Sequence, residues 1–234
     1  MMMTELDVQS KCAVTSNIVF WSASILCFLL DRFILSPKTL QEQKVQGNKA
    51  FLSESEMWDI FKLAFLNMGP VTILFVKMEH VLRGALDIPQ MSEQEPWNAV
   101  REIPLFVACI VTMMLWFYFT HRLLHVPYLY KTVHKVHHRF KAPCAMAAVY
   151  AHPIEFIFGN VAGVGLGPML TNCHPYTAYA WFSLALLATC KNHSGYKCLG
   201  AQQHDAHHEF FNYNFGNDFL DDFFGTKLPK DKEH

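Results

Sequence analysis

Charged residues are scarce in this chain. Aspartate, glutamate, lysine and arginine make up 17% of its 234 residues, against roughly 25% in soluble domains. Hydrophobic residues make up 52%, and the formal net charge is −1. Because the chain lacks an excess of basic residues, nucleic acid is not a predicted partner. The composition instead predicts an integral membrane protein.

The chain also lacks the motifs of several common sites. Its seven cysteines are an odd number and include no C-x-x-C pair, so neither a disulfide framework nor a zinc ribbon is indicated. It has no G-x-G-x-x-G motif, the phosphate-binding turn of nicotinamide-dependent enzymes. Any redox chemistry would therefore need a separate electron donor.

Long apolar runs are abundant. Residues 17–35 and 104–120 each approach or reach the length of a membrane span, which is about 20 residues. Residues 63–76 are apolar but interrupted by a Gly-Pro pair, so both a spanning helix and a kinked or interfacial helix stay open. Residues 156–190 are too long for one span and predict two, with a turn at 171–175. The predicted fold is an all-α, integral membrane helical bundle of about four to five spans.

Loop charges predict the orientation of these spans. Lysine and arginine concentrate in segments 36–56 and 121–153 and after residue 190, whereas 80–103 and 171–175 carry few or none. By the positive-inside rule, the first three segments are expected to be cytoplasmic. The C-terminal lysines at 230 and 232 resemble a dilysine retrieval signal. A multi-pass protein of the endoplasmic reticulum membrane with a cytoplasmic C-terminus is therefore expected.

Histidine is concentrated in three short motifs. Eight of the 13 histidines lie in an H-x-x-x-H and two H-x-x-H-H motifs. A chance or surface pair would explain one such motif, but not three. If each motif is helical, its imidazoles share one face. Eight imidazoles exceed the four ligands of one tetrahedral site, so the sequence predicts a cytoplasmic, histidine-rich di-metal cap. Its expected ligands are His121, His125, His134, His137, His138, His204, His207 and His208.

The type of ligand limits which metals are expected. Imidazoles without cysteine, next to a membrane, suit iron or zinc, whereas a structural zinc site more often uses cysteine. Eight ligands shared by two ions leave coordination positions open for dioxygen and substrate. Redox-active iron that activates dioxygen fits this pattern.

The context of these motifs resembles that of the fatty acid hydroxylase superfamily, also called the sterol desaturase family. The resemblance covers about residues 104–226 and is closest to the branch containing C-4 methylsterol oxidases and sterol side-chain hydroxylases. It is carried by the three histidine motifs in order, together with Leu129-Tyr130, Ala142-Pro143, Tyr150-Ala-His-Pro-Ile-Glu155, Asn192-His-Ser-Gly-Tyr196 and Gly225-Thr226.

The resemblance implies further ligands. His193 would be a ninth ligand and His152 a tenth, although His193 could instead be a hydrogen-bonded histidine at the end of a span and His152 a helix cap. His174, at the predicted turn, should bind no metal. Residues expected to orient the ligand rings are Asp205, Glu155, Asn192, Asn214 and Asp218. In relatives, the segment that corresponds to 197–203, before the last histidine motif, is usually longer. The short segment leaves open whether the last motif reaches the metals.

The resemblance also implies an activity. It predicts a di-iron monooxygenase that hydroxylates an unactivated C–H bond of a sterol with O2, with two Fe ions (Zn as a substitute in isolated protein) and electrons from cytochrome b5 and an NAD(P)H-dependent reductase. A fatty acyl or sphingolipid hydroxylase or desaturase is the alternative, and a non-catalytic metal-binding protein, a metal transporter or a haem protein is more remote. Residues 1–103 would be a membrane-anchoring region, 104–226 the catalytic domain and 227–234 a C-terminal tail.

Overall fold

The computed structural model describes residues 6–49 and 51–232; Glu233 and His234, which complete the dilysine-like tail, lie outside these residues. Within the described ranges the regular structure is helical, apart from an isolated bridge between Lys44 and Tyr196. The predicted all-α fold is confirmed. Four helices in this part of the chain are long and apolar enough to cross a membrane: Val8–Ile34, Glu54–Ala85, Ala99–Leu124 and Pro153–Thr171.

The first span begins at a capping carboxylate. Helix α1 (Val8–Leu29) starts after Asp7, whose side chain accepts a hydrogen bond from the Ser10 amide. The helix continues through a π-helical turn (Leu30–Ile34) and is followed by the short helix α2 (Pro37–Gln43). The first span thus begins earlier than the apolar run alone predicts.

The second span is interrupted but not broken. Helix α3 (Glu54–Leu66) and helix α4 (Thr72–Ala85) are joined by a π-helical turn (Asn67–Val71). Pro70 lies in that turn, and its missing amide removes a helical hydrogen bond that the wider turn accommodates. The apolar run at 63–76 therefore belongs to one continuous helix of spanning length.

The third span leads directly into the histidine motifs. Helix α5 (Ala99–Leu124) carries the first motif at its C-terminal end and is followed by helix α6 (Pro127–Thr132). Two 3-10 turns come next, His134–Arg139 and Ala145–Val149. The second motif is therefore 3-10 helical, not α-helical.

The long apolar run divides as predicted. Helix α7 (Pro153–Glu155) passes through a π-helical turn (Phe156–Val161) into helix α8 (Ala162–Thr171). Helix α9 (Pro175–His193) returns after a three-residue connection, with Pro175 at its first position. The chain ends in helix α10 (Gln202–Phe210) and helix α11 (Asp218–Phe223).

The five long helical segments alternate in direction, so the bundle has two distinct ends. At what we call the histidine end, Gln46 Nε2 donates to the Lys141 carbonyl and to Asp205 Oδ1, each at 2.7 Å. Gln46 thus joins two connecting segments and α10. At the far end, Arg83 donates to Asn172 and His174 to the Glu95 carbonyl. These are the two groups of loops that the charge pattern separates. The main apolar core lies between α1, α3, α9 and the turn Ala145–Val149.

Candidate metal centre

Nine buried or half-buried imidazoles meet at the histidine end. Among the described residues, two sets of potential metal ligands are found, and within each set the ligand atoms lie within 4.8 Å of one another. We call them the first and second histidine groups. The first contains His121, His125, His134, His138 and His207, and the second contains His137, His193, His204 and His208.

Each H-x-x-H-H motif serves both groups, so the expectation that a motif points all its rings in one direction was wrong. In α10, His204 and His208 belong to the second group and His207 to the first. Successive residues of an α-helix are rotated by roughly 100° about its axis. His207 and His208 are therefore displaced from His204 in opposite directions around the helix. His137 likewise separates from His134 and His138, on a 3-10 turn.

The ring nitrogens are spaced as ligands of a common ion. In the first group, Nε2 of His134 lies 3.0 Å from that of His125 and 3.1 Å from that of His138. In the second, Nε2 of His204 lies 2.9 Å from that of His193 and 3.2 Å from that of His208. Nitrogens this far apart subtend roughly 90–100° at an ion about 2.1 Å from each, which is an ordinary coordination angle.

Backbone carbonyls fix the tautomer of four rings. A carbonyl only accepts hydrogen bonds, so a ring nitrogen in contact with one carries the proton. The Nδ1 atom of each of these rings donates to such a carbonyl at 2.6–3.2 Å, and the Nε2 lone pair then faces the group. The four pairs are His121 with Phe215, His137 with Tyr150, His193 with Thr189, and His207 with Tyr213.

This proton arrangement calls for a cation. Nε2 of His137 and Nε2 of His193 lie 3.3 Å apart, and with both protons on Nδ1 the two lone pairs repel. Nε2 of His121 is buried and has no hydrogen-bond partner within the described chain, a costly state for a polar atom. A metal ion accepts these lone pairs directly, so the side chains present fit a pair of metal ions.

One carboxylate supports the first group. Oε1 of Glu155 lies 2.8 Å from Nδ1 of His134, and both side chains are buried. A carboxylate here raises the basicity of the ligand ring and offsets the charge of an ion. Glu155 is among the five residues expected to orient ligand rings, and it makes such a contact with His134.

Three of the other expected residues make contacts to other parts of the chain. Asp205 accepts a hydrogen bond from Gln46, Asn214 donates to the Gln203 carbonyl, and Asp218 pairs with Lys227. The four carbonyls are not predictable from the sequence, because a backbone acceptor has no residue signature. The role of Asp221 is not predictable either; it is a fully buried carboxylate that accepts hydrogen bonds from the amides of Phe215 and Gly216.

Burial keeps these imidazoles neutral. Desolvation lowers the pKa of His125 to about 4 and the pKa of His137 to about 4. The same cause lowers the pKa values of His134, His138, His204, His207 and His208. Neutral imidazole is the form that binds a metal, so the rings are ready to bind one at physiological pH.

The histidines outside the three motifs take different positions. His193 is part of the second group. His152 lies outside both groups, and its Nδ1 accepts a hydrogen bond from the Ile154 amide at the start of α7. His174 caps the start of α9 at the far end. The short connection at 197–203 does not hold α10 away, since His204 lies 2.9 Å from His193.

An apolar cavity leads to the histidine groups. A small chamber is lined by His121, His134, His137 and His193. Beside it lies a larger cavity between α1, α4, α5, α8 and α9, with about 950 Å³ of space between atoms, counted out to its openings. Its lining is mostly apolar, which is the character of small-molecule sites.

A membrane-spanning helical bundle with two adjoining histidine groups and an apolar cavity defines a class, the integral-membrane proteins with a histidine-ligated two-metal site. Comparison with known proteins identifies the family. The model of the fatty acid hydroxylase family matches residues 106–226, and the chain belongs to this family.

Three relatives extend the similarity beyond that region. Methylsterol monooxygenase erg25B of Aspergillus fumigatus is 34% identical over 225 residues, which cover 88% of this chain and 72% of the relative. A putative methylsterol monooxygenase of Dictyostelium discoideum is 33% identical, covering 89% and 79%. Methylsterol monooxygenase 1 of Danio rerio is 32% identical, covering 77% and 65%. No solved structure matches the chain.

Proposed function

We propose that this protein is a membrane-bound di-iron monooxygenase that hydroxylates a sterol. The observation that carries the proposal is the pair of histidine groups beside an apolar cavity between the helices. The relatives named methylsterol monooxygenases support the sterol as substrate and the oxidoreductase class.

The proposed reaction inserts one atom of O2 into a C–H bond. The second oxygen atom leaves as water, which requires two electrons and two protons from outside the chain. A pair of irons, when bound, supplies the oxygen activation. We propose His121, His125, His134, His138 and His207 as ligands of one ion and His137, His193, His204 and His208 as ligands of the other.

The protein's own side chains position and protect the reacting carbon. Phe117, Leu124 and Ala148 line the chamber beside the histidines and exclude water from it, which prevents loss of the activated oxygen to solvent. The Glu155 carboxylate and the four backbone carbonyls keep the rings in the ligand tautomer.

The electron donor must reach the histidine end. We propose cytochrome b5 and an NAD(P)H-dependent reductase in this role, at the endoplasmic reticulum membrane with the histidine end cytoplasmic. The lysine- and arginine-rich loops at that end support this orientation. We further propose residues 1–103 as a membrane-anchoring region, 104–226 as the catalytic domain and 227–234 as a tail.

The test is reconstitution. Purified protein is loaded with iron in lipid nanodiscs, supplied with cytochrome b5, its reductase and NADPH, and offered a panel of 4-methylsterols and fatty acyl lipids. We expect an oxygenated sterol, and none from the variant that combines His134→Ala with His137→Ala. If only the acyl lipids give a product, the substrate is a fatty acyl lipid and not a sterol. Iron-loaded protein that oxygenates no lipid would refute the proposal.

A further inference from the structure

The apolar cavity and the chamber beside the histidines are joined at a shared wall. Four residues line both spaces: Phe117, Ala148, Asn160 and Thr189. Two of them are apolar and two carry hydrogen-bonding side chains. A molecule that extends from the cavity into the chamber passes all four.

The two polar residues at this junction are unpaired. Neither the Asn160 amide nor the Thr189 hydroxyl makes a side-chain hydrogen bond to any described residue. Asn160 lies on the π-helical turn Phe156–Val161, a distortion that is frequent at functional sites. Thr189 is adjacent to the metal region, since its carbonyl holds Nδ1 of His193.

Most other polar residues of the cavity wall are engaged elsewhere. The Gln9 amide donates to Gln90, the Thr72 hydroxyl donates to the Asn67 carbonyl, and Glu79 pairs with Arg83. Ser16 also lines the cavity, but it lies in the half of α1 nearest the far end. Glu155 also lines the chamber, and its Oε2 has no partner among the described residues, but its Oε1 lies against His134. At the wall shared with the cavity, the free donors and acceptors are those of Asn160 and Thr189.

The lining also limits the polar group that binds there. Among the described residues that line either space, none is a lysine or an arginine. A carboxylate or phosphate at the junction would lose its hydration without gaining a basic side chain as a partner, which is costly. A hydroxyl is uncharged, and an amide next to a hydroxyl offers it both a donor and an acceptor.

We propose that Asn160 and Thr189 bind the hydroxyl group of the sterol and place the hydroxyl-bearing end of the molecule against the histidine groups. This inference rests on the proposed function and makes it more specific. The hydrocarbon tail then extends between α1, α4 and α9 toward the far end. Oxidation falls on a carbon near the hydroxyl, and the tail is out of reach of the metals.

The experiment removes the hydrogen bond in two ways, by omitting the hydroxyl from the sterol and by replacing the side chains that bind it. Binding of a 4-methylsterol and of the same molecule without its hydroxyl is measured on metal-loaded protein in nanodiscs, for the unaltered protein and for Asn160→Leu, Thr189→Val and Ser16→Ala. We expect the unaltered protein to prefer the hydroxylated sterol by about tenfold, as one or two hydrogen bonds allow. Asn160→Leu and Thr189→Val should each reduce that preference severalfold at unchanged metal content, and Ser16→Ala should retain it.

The outcomes separate this inference from the activity itself. If Asn160→Leu and Thr189→Val keep the full preference, or if Ser16→Ala loses it, the assignment of the hydroxyl site is wrong. If Asn160→Leu fails to fold, Thr189→Val and the sterol lacking the hydroxyl still decide the question. Oxygen found in the hydrocarbon tail of the product would overturn the orientation. Binding with the expected preference but no product under any condition would refute the monooxygenase and leave the hydroxyl site standing.

Discussion

The Asp221 carboxylate accepts hydrogen bonds from the backbone amides on both sides of Phe215, those of Phe215 and Gly216. Its Oδ1 accepts the Phe215 amide at 2.8 Å, while the Phe215 carbonyl accepts Nδ1 of His121 at 2.7 Å. Asp221 also accepts the Gly216 amide and the Thr226 hydroxyl. A residue about one hundred positions from His121 thus fixes the tautomer of that ligand through one peptide unit.

Replacement of Asp221 by asparagine should weaken the first histidine group. The amide cannot accept all of these hydrogen bonds with the strength of a carboxylate, so the Phe215 carbonyl loses its fixed position. We expect metal affinity to fall on the order of tenfold, the lower range for outer partners of ligands. Metal competition with a chelator measures this. Asp222→Asn is the matched control, because Asp222 is exposed and pairs only with Lys227 among the described contacts; equal losses in both variants would contradict the prediction.

Replacement of Glu155 by glutamine should act on the same group by charge. The size of the side chain is kept, but the negative charge 2.8 Å from His134 Nδ1 is lost. Affinity for the ion of the first group should fall about 10–100-fold, with the second group less affected. Titration with a chelator, followed by metal analysis, resolves the two ions. An unchanged first affinity would mean that the carboxylate does not support His134.

Loss of His193 should remove one ion. His193 belongs to the second group and lies on α9, an element that supplies no ligand to the first. His193→Ala should therefore bind about one metal ion per chain in place of two when a chelator competes, because the second group loses one of its four ligands. Elemental analysis of the purified protein gives the ratio. His152→Ala should keep both ions, since His152 caps α7.

Acid should destabilise the metal-free protein. The folded-state pKa values of His125 and His137 are about 4, below the usual value of about 6.5 in an unfolded chain. The unfolded state therefore binds more protons between these values, and the stability contributed by the neutral rings, fully present above pH 6.5, is lost as the pH falls toward 4. The melting temperature in detergent should be lower at pH 5 than at pH 7.5. A melting temperature that is equal at both values would contradict the burial of these rings.

Close packing of α8 on α5 should depend on Gly167. A Cβ atom at this position would lie 2.7 Å from the Cys109 Cα, so the helices would have to separate. We expect Gly167→Ala to cost about 1–3 kcal/mol, the range for overpacking, measured as reduced thermal stability. Gly84→Ala is the control, because nothing lies within 4 Å of the added methyl group, and alanine favours a helix there.

The sequence predicts the helices well because hydropathy and turn residues are local. The division of the run at 156–190 follows from Pro175, which begins α9 where the sequence expects a new helix. The histidines were found because clustered imidazoles are rare outside metal sites. Their distribution between two groups was not predictable, since it depends on how α5, the turn at His134, α9 and α10 pack against one another. The Phe215 carbonyl and the role of Asp221 depend on contacts between distant segments, which spacing along the chain does not encode.

The two histidine groups take their members from α5, the turn at His134, α9 and α10. Bound ions would therefore act as cross-links between these segments. Chelation should release α10 and the following residues while leaving the spans in place, because the spans are held by the bilayer and by their own packing. The metal-free protein would then be cut by protease after residue 194, and restoring the ions would make that segment resistant again.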